Sequence, residues 1–313
     1  MLENKAKIID VHQHIFPEFY IKTMKEELGI KNCGGAPWPK WSAKAALKIM
    51  DKKGIEKGFL SYSLPGVYFK NDKWSGEFAR KCNDYLAEIV QKYPSRFGGF
   101  AVLPLPDADG ALKELEYSQD ILKLDGIGLL SNVNGVYPGT EKYRNLFREL
   151  NERSTVVFIH PNNSVSKLAA SFHDIFYGWF LETSKALIEL AKSGYLNDYP
   201  QIKYILAHAG GVYPAFSHLL AELKEPILKG NIYVDTAKAV DFHNLNRLLS
   251  VIPLNHIVFG SDYPMANGAK IDYWLKNIHG FFSDRNNEMI DILQNNVQML
   301  FPSISKNLKE VLV

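Results

Sequence analysis

Eight short apolar runs, each followed by a stretch in which apolar residues recur at three-and-four spacing, fill this chain almost from end to end. The runs are Lys7–His12, Lys57–Tyr62, Phe97–Leu103, Gly126–Leu130, Thr155–His160, Ile202–His208, Asn231–Asp235 and His256–Ser261. Several are continuously apolar, as strands covered on both faces by helices should be. The stretches between them, Lys44–Lys53, Ser75–Lys92, Ala108–Leu122, Thr140–Asn151, Trp179–Ser193, Pro214–Leu223, Phe242–Val251 and Ala269–Leu300, carry helical periodicity, and the last is long enough for two helices. Eight βα units in succession predict an α/β fold, a closed (β/α)8 TIM barrel. An open dinucleotide-binding sheet would carry a G-x-G-x-x-G turn after an early strand, and the sequence has none. Its 313 residues suit one such barrel as a single domain spanning 1–313.

Two stretches exceed the plain repeat. Phe16–Trp41 follows the first run and holds Gly34, Gly35, Pro37 and Pro39 beside Trp38 and Trp41, while Pro161–Tyr177 follows the fifth. Loops after barrel strands build the active-site face, so insertions there read as pocket walls, and 16–41 as a lid.

Composition narrows the function classes. The chain is 46% hydrophobic and 22% charged, with no apolar run long enough to span a bilayer and no basic-plus-apolar leader, so a soluble cytoplasmic protein is expected. A net charge of +2 with interspersed signs offers no stripe for a phosphate backbone and no polybasic tail, which argues against nucleic-acid and membrane partners. Cys33 and Cys82 lack metal-type or redox-type spacing and read as reduced thiols.

The polar residues at the ends of the runs carry the chemical signal. Successive strand side chains alternate, so His12 and His14 in "IIDVHQHIFP" share a face. His160 ends "VVFIH", His208 lies in "YILAHAGG" and Asp262 in "IVFGSDYP". Each alone reads equally well as a polar cap or ordinary turn chemistry. In a parallel barrel, however, all five strand ends open onto one mouth, and their convergence favours a metal site.

This pattern resembles the amidohydrolase superfamily, and within it the amidohydrolase-2 branch related to aminocarboxymuconate semialdehyde decarboxylase. The resemblance covers nearly the whole chain and rests on His12-x-His14 with Phe16-Pro17, "RFGGFAVLPLPD" at Arg96–Asp107, "FIHP" at Phe158–Pro161, "LAHAGG" at Leu206–Gly211 and "GSDYP" at Gly260–Pro264. "PLPDADGALKELEY" is also similar to 6-methylsalicylate decarboxylases. The resemblance implies that His12, His14, His160 and Asp262 are metal ligands, with His208 and Asp262 catalytic. Many superfamily members bridge two metals with a lysine at the fourth strand, but "DGIGLLSN" at Asp125–Asn132 offers none, which implies a mononuclear site. Three imidazoles and a carboxylate suit Zn²⁺, with Mn²⁺, Fe²⁺ or Co²⁺ as alternatives. A homodimer is a further implication of the resemblance.

Aminocarboxymuconate semialdehyde decarboxylases typically hold a substrate carboxylate with an arginine in the first helix, where this chain has Ala46 in "AALKIMDKKG". The change favours a monocarboxylated, salicylate-like acid, decarboxylated without an oxidant. In that expectation Asp262 delivers a proton to the ring carbon and His208 steers the substrate and shares the proton. Hydrolysis of an ester, lactone or amide on the same ligands is the alternative, and a catalytically silent metal-binding barrel is a second. Phe16, Trp38, Trp41, Tyr62, Tyr137 and Trp179 are candidate aromatic walls. His173, His218, His243, His256 and His279 carry no assigned chemistry, nor does Asp10, while Glu182 and Arg144 suit either a pocket wall or a solvated helix face.

Overall fold

The computed structural model describes residues 7–163, 178–219, 225 and 231–302. Eight parallel strands pair in chain order: β1 (Ile8–His14), β2 (Ile55–Ser61), β3 (Phe97–Val102), β4 (Gly126–Leu130), β5 (Val156–His160), β6 (Lys203–Leu206), β7 (Ile232–Asp235) and β8 (Ile257–Val258). Backbone bonds between β1 and the segment after β8 close the barrel. Val11 N–H donates to the Phe259 carbonyl at 2.9 Å, Asp262 N–H to the His12 carbonyl at 2.8 Å and His14 N–H to the Tyr263 carbonyl at 2.7 Å. The expected α/β barrel is therefore the observed fold.

Helices on the outside start where the sequence supplies a cap. The side chains of Ser42, Asn71, Asp107, Asp241 and Asn267 accept a first-turn N–H at the starts of Ala43–Lys53, Asp72–Lys92, Ala108–Glu116, Phe242–Val251 and Gly268–Phe281. Their apolar faces form one core layer against the sheet. A second core fills the barrel itself, where Ile9, Val11, Phe59, Phe100, Phe158 and Phe301 meet. The Phe301 ring stacks on Phe59 at 4.3 Å.

Strand ends differ from the sequence expectation where the site is built. β1 runs two residues further, to His14, because His14 pairs with Ser61 of β2. β6 stops at Leu206, two residues early, since His208 (φ 56°) and Ala209 (φ 57°) turn into the left-handed region. β8 is only two residues long, His256 belonging to a 3-10 turn before it. The register of β1 against β2 slips between Asp10 and Gln13, three residues matching the two from Gly58 to Leu60. Such a bulge shifts the alternation by one residue. It lets Ile9 and Val11 fill the barrel while His12, against Phe158 at 4.9 Å, and His14 also face inward.

The stretch 16–41 is more ordered than an irregular lid. It forms the helix Glu18–Lys22, a wider helical turn Thr23–Glu27 and a small antiparallel bridge between Cys33 and Ala36, with Phe16, Tyr20, Met24 and Trp38 buried. Gly34 (φ +55°) seats it: a Cβ there would stand 2.6 Å from Leu64 and 2.7 Å from Trp179. Most of the second insertion, residues 164–177 with His173, and the end of the expected Pro214–Leu223 helix lie outside the described residues. No described helix is long and apolar enough to cross a membrane.

Asp10 ties the closure together. Its buried Oδ1 accepts from the backbone of His12 (3.1 Å) and Ser261 (2.9 Å), and Oδ2 accepts from Gln13 Nε2 (2.8 Å). Burial raises its carboxyl to about 6 even though these donors oppose the shift. Asp10→Ala leaves two backbone donors without their partner, each worth about 1–3 kcal/mol when stranded in the interior. A clear fall in the denaturant midpoint is expected; an unchanged midpoint would show that closure does not depend on this carboxylate.

Candidate metal centre

The mouth of the barrel gathers the residues that the strand ends supply. His12 and His14 come from β1, His160 is the last residue of β5, and Asp262 follows β8; all four are buried. One donor atom from each lies within 4.8 Å of the others. His12 Nε2 is 3.0 Å from His14 Nε2, while Asp262 Oδ1 is 3.3 Å and 3.1 Å from the same two atoms.

What fixes the imidazoles is the outer nitrogen of each. His12 Nδ1 lies 2.7 Å from Asp235 Oδ2, His14 Nδ1 3.1 Å from Ser61 Oγ, and His160 Nδ1 2.9 Å from the Pro161 carbonyl. The Asp235 carboxylate and the Pro161 carbonyl accept, and Ser61 donates its own hydrogen to the Gln13 carbonyl (3.2 Å), leaving its oxygen free to accept. Each Nδ1 therefore carries hydrogen, which leaves the Nε2 lone pairs for the interior of the cluster. This is the outer support that metal-binding histidines use. Ligands about 2.0–2.1 Å from one tetrahedral ion would stand roughly 3.3 Å apart, close to the 3.0, 3.1 and 3.3 Å among His12, His14 and Asp262, with His160 inside the wider 4.8 Å limit. The donor set fits a divalent cation.

His208 stands beside this cluster without being tied to it. Its ring centre is 5.1 Å from that of His12 and 5.5 Å from that of His160, and Nε2 is 3.9 Å from Asp262 Oδ2. Both ring nitrogens are buried without a hydrogen-bond partner among the described residues. Its left-handed backbone is a conformation disfavoured for a residue with a Cβ. Asp235 helps hold that turn, its Oδ1 accepting from the backbone of His208 at 3.0 Å and of Ala237 at 2.8 Å. Gly211 (φ +74°) completes it, since a Cβ there would come within 2.1 Å of the Phe180 carbonyl. Asp262 is itself left-handed, at φ 53°.

Protein charges set the protonation pattern. Burial pushes His12 toward neutrality, but Asp235 and then Asp262 outweigh it and raise the imidazole to about 9. Burial lowers His14, and burial with the neighbouring histidines holds His160 well below the ordinary value. His208 is pushed down to about 4, by burial first and then by the Lys238 charge. Burial alone would raise Asp262, yet Lys238 and the imidazoles of His12, His14 and His208 keep its carboxyl well below the usual range. Lys238 Nζ is 2.7 Å from Asp262 Oδ2, an ion contact beside the oxygen that faces away from His12 and His14.

Asp235, Ser61 and Lys238 are the neighbours that sequence reading missed. Asp235 and Ser61 end β7 and β2, so the strand-end rule that found the histidines reaches them too. Glu182 is buried at 3% exposure and accepts from Asn132 Nδ2 (2.8 Å) and the Tyr137 hydroxyl (2.9 Å), binding the helix Gly178–Lys192 to the loop after β4. Arg144, by contrast, is exposed and paired with Glu141.

Of the aromatic candidates, Phe16 lies 6.3 Å from His14 and packs on Trp38 at 6.1 Å, and Trp179 lies 4.8 Å beneath Lys238 Nζ. Phe180 comes to 5.5 Å from His208. Trp41 is half-buried against the outer core, and Tyr62 points its hydroxyl to the Cys82 carbonyl within that core. The histidines left without chemistry stay apart: His218, His243 and His279 are exposed, and His256 bonds the Ile232 carbonyl at 2.8 Å.

Comparison with known proteins agrees with this architecture. The chain is 31% identical over 307 residues to the decarboxylase macB of Penicillium terrestre, covering 88% of this chain and 89% of that protein. It is 31% identical over 281 residues to the 6-methylsalicylic acid decarboxylase of Penicillium expansum, covering 82% and 85%. The fold matches that of a dihydroxybenzoic acid decarboxylase from Polaromonas sp. JS666, solved with bound manganese and the inhibitor 2-nitroresorcinol, at a TM-score of 0.81, 24% identity and coverage of 95% and 97%. The family profile described as amidohydrolase matches residues 9–300, and the chain belongs to that family.

Proposed function

We propose that this protein is a metal-dependent, non-oxidative decarboxylase of a small salicylate-like aromatic acid. The observation that carries the reading is the pairing of a four-donor metal cluster with a buried His208 whose ring nitrogens are uncommitted. The named decarboxylases to which the chain is similar support the same reaction class. His12, His14, His160 and Asp262 hold the ion in this reading. Zinc is the preferred metal because the donors are three imidazoles and one carboxylate. Manganese is the alternative, supported by the Polaromonas structure.

When bound, the cation supplies Lewis-acid stabilisation of negative charge on the substrate oxygens. The remaining work falls to this chain's own groups. His208, kept neutral, accepts the proton of the substrate's ortho hydroxyl, and the ionised Asp262 beside it stabilises the imidazolium so formed. His208 then gives that proton to the ring carbon bearing the carboxylate. The C–C bond breaks, CO₂ leaves, and the bonding pair restores the aromatic ring as a phenolate, which takes a proton from water. Asp262 acts here as counter-ion to the proton carrier. This differs from the sequence expectation of direct protonation by Asp262, because Lys238 and the imidazoles favour its charged form. Phe16, Trp38 and Phe180 give the ring apolar neighbours.

Incubation of metal-loaded protein with 6-methylsalicylate is expected to yield CO₂ and 3-methylphenol in equal amounts. Metal removal should abolish the reaction, and His208→Asn should lower kcat by about 10²-fold or more with metal content unchanged. Cleavage of esters or lactones without CO₂ release would instead place the protein among the hydrolases.

Two further outcomes test the metal assignment. Asp235→Asn weakens the support of His12 and should reduce metal affinity by about 10–100-fold, read by competition with a chromogenic chelator. The proton favoured on His12 and the cation compete for the same lone pair, so metal affinity should rise with pH up to about 9. A pH-independent affinity would remove His12 from the ligand set.

A further inference from the structure

The geometry points to Lys238 as the anion anchor of the site, the residue that takes the carboxylate of the incoming acid and so distinguishes the acid from its phenol. The inference rests on the aromatic-acid reading above, and it concerns a residue that no motif in the sequence singled out. Lys238 lies three residues beyond the end of β7, in the turn held by Asp235 through the backbone of Ala237 and His208. Its backbone is left-handed at φ 60°, which is unfavourable for lysine, and the turn nevertheless brings its ammonium into the mouth.

Two contacts and its exposure define what that ammonium can do. Nζ is 2.7 Å from Asp262 Oδ2, it lies 4.8 Å above the Trp179 ring, and the side chain keeps 24% of its surface open. An ammonium has three donors, so one can face Asp262 while the others remain for a second anion. Asp262 Oδ1 is the oxygen turned to His12 and His14, whereas Lys238 meets Oδ2. His208 Nε2 lies 3.9 Å from the same Oδ2. An aromatic acid seated between Lys238 and His208 would find its carboxylate at a cation and its ring near Trp179 and Phe180. Lys238 comes from the loop after β7, so in this reading that loop supplies the cation a monocarboxylate needs.

The test separates anchoring from a merely structural role at Asp262. Binding of 6-methylsalicylate and of 3-methylphenol, which lacks the carboxylate, is measured by titration calorimetry in metal-saturated His208→Asn protein, so that no acid is consumed. Lys238→Met is then added, with Lys238→Arg as the variant that retains the charge, and metal content is measured for each. An anchor predicts acid binding weakened by roughly tenfold to a hundredfold in Lys238→Met, the range for a hydrogen bond between charged groups, with phenol binding within about twofold and partial recovery in Lys238→Arg. Equal losses for acid and phenol, unchanged acid binding, or no preference for the acid before substitution would each overturn the inference. Loss of acid selectivity in Lys238→Met together with no CO₂ from the unsubstituted enzyme would leave the anchor standing and refute the decarboxylase reading alone.

Discussion

The junction between the first strand and the segment after the last one is the constraint on which the rest of the structure depends. A parallel sheet becomes a barrel only when its two edges pair, and here the edges carry three of the four candidate metal ligands, His12, His14 and Asp262. The same bond that joins them, from Asp262 N–H to the His12 carbonyl, sets Asp262 against the two histidines of β1. Asp10 reinforces the junction by accepting from the backbone of both His12 and Ser261. Closure and site assembly are one event, so a defect in the first is felt in the second.

Around that junction the molecule arranges charge in layers. The imidazoles present lone pairs inward because Asp235, Ser61 and the Pro161 carbonyl hold their outer nitrogens. Asp235 serves two parts of the site at once, one oxygen on His12 and the other on the turn that carries His208. This places His208 and His12 on a common support, which is how a site keeps its groups in fixed relation. Glu182 does the corresponding work on the aromatic side. Its bonds to Asn132 and Tyr137 hold the helix that carries Trp179 and Phe180. The segment 16–41 packs on the same helix through Gly34, so that segment and the aromatic wall bear on each other.

Much of this was legible in the linear chain. The alternation of apolar runs and helical periodicity gave eight strands and the barrel, and the cap residues Ser42, Asn71, Asp107, Asp241 and Asn267 mark helix starts by local chemistry. His12, His14, His160, His208 and Asp262 stood out because strand ends in such a barrel share a mouth. Boundaries were less legible at β6, where the left-handed residues His208 and Ala209 end the strand, and at β8, where a 3-10 turn takes up His256 and leaves a strand of two residues. The order within 16–41 was hidden because its glycines and prolines mask a short helix whose stability comes from burying Phe16, Tyr20 and Met24.

The sequence by itself determined the kinds of element, their order and the reactive residue types at their ends, because these follow from periodicities of two and 3.6 residues and from local capping. Tertiary structure alone decided the phase of β1, where the slip against β2 brings His12 and His14 to the interior that Ile9 and Val11 already face. It also decided the partners of the reactive groups. His12 meets Asp235 across 223 residues of chain, and Lys238 meets Asp262 from a different strand end. No local rule encodes such pairs, since they arise from the closing of the sheet, and it is these pairs that set which groups carry charge and which stay neutral.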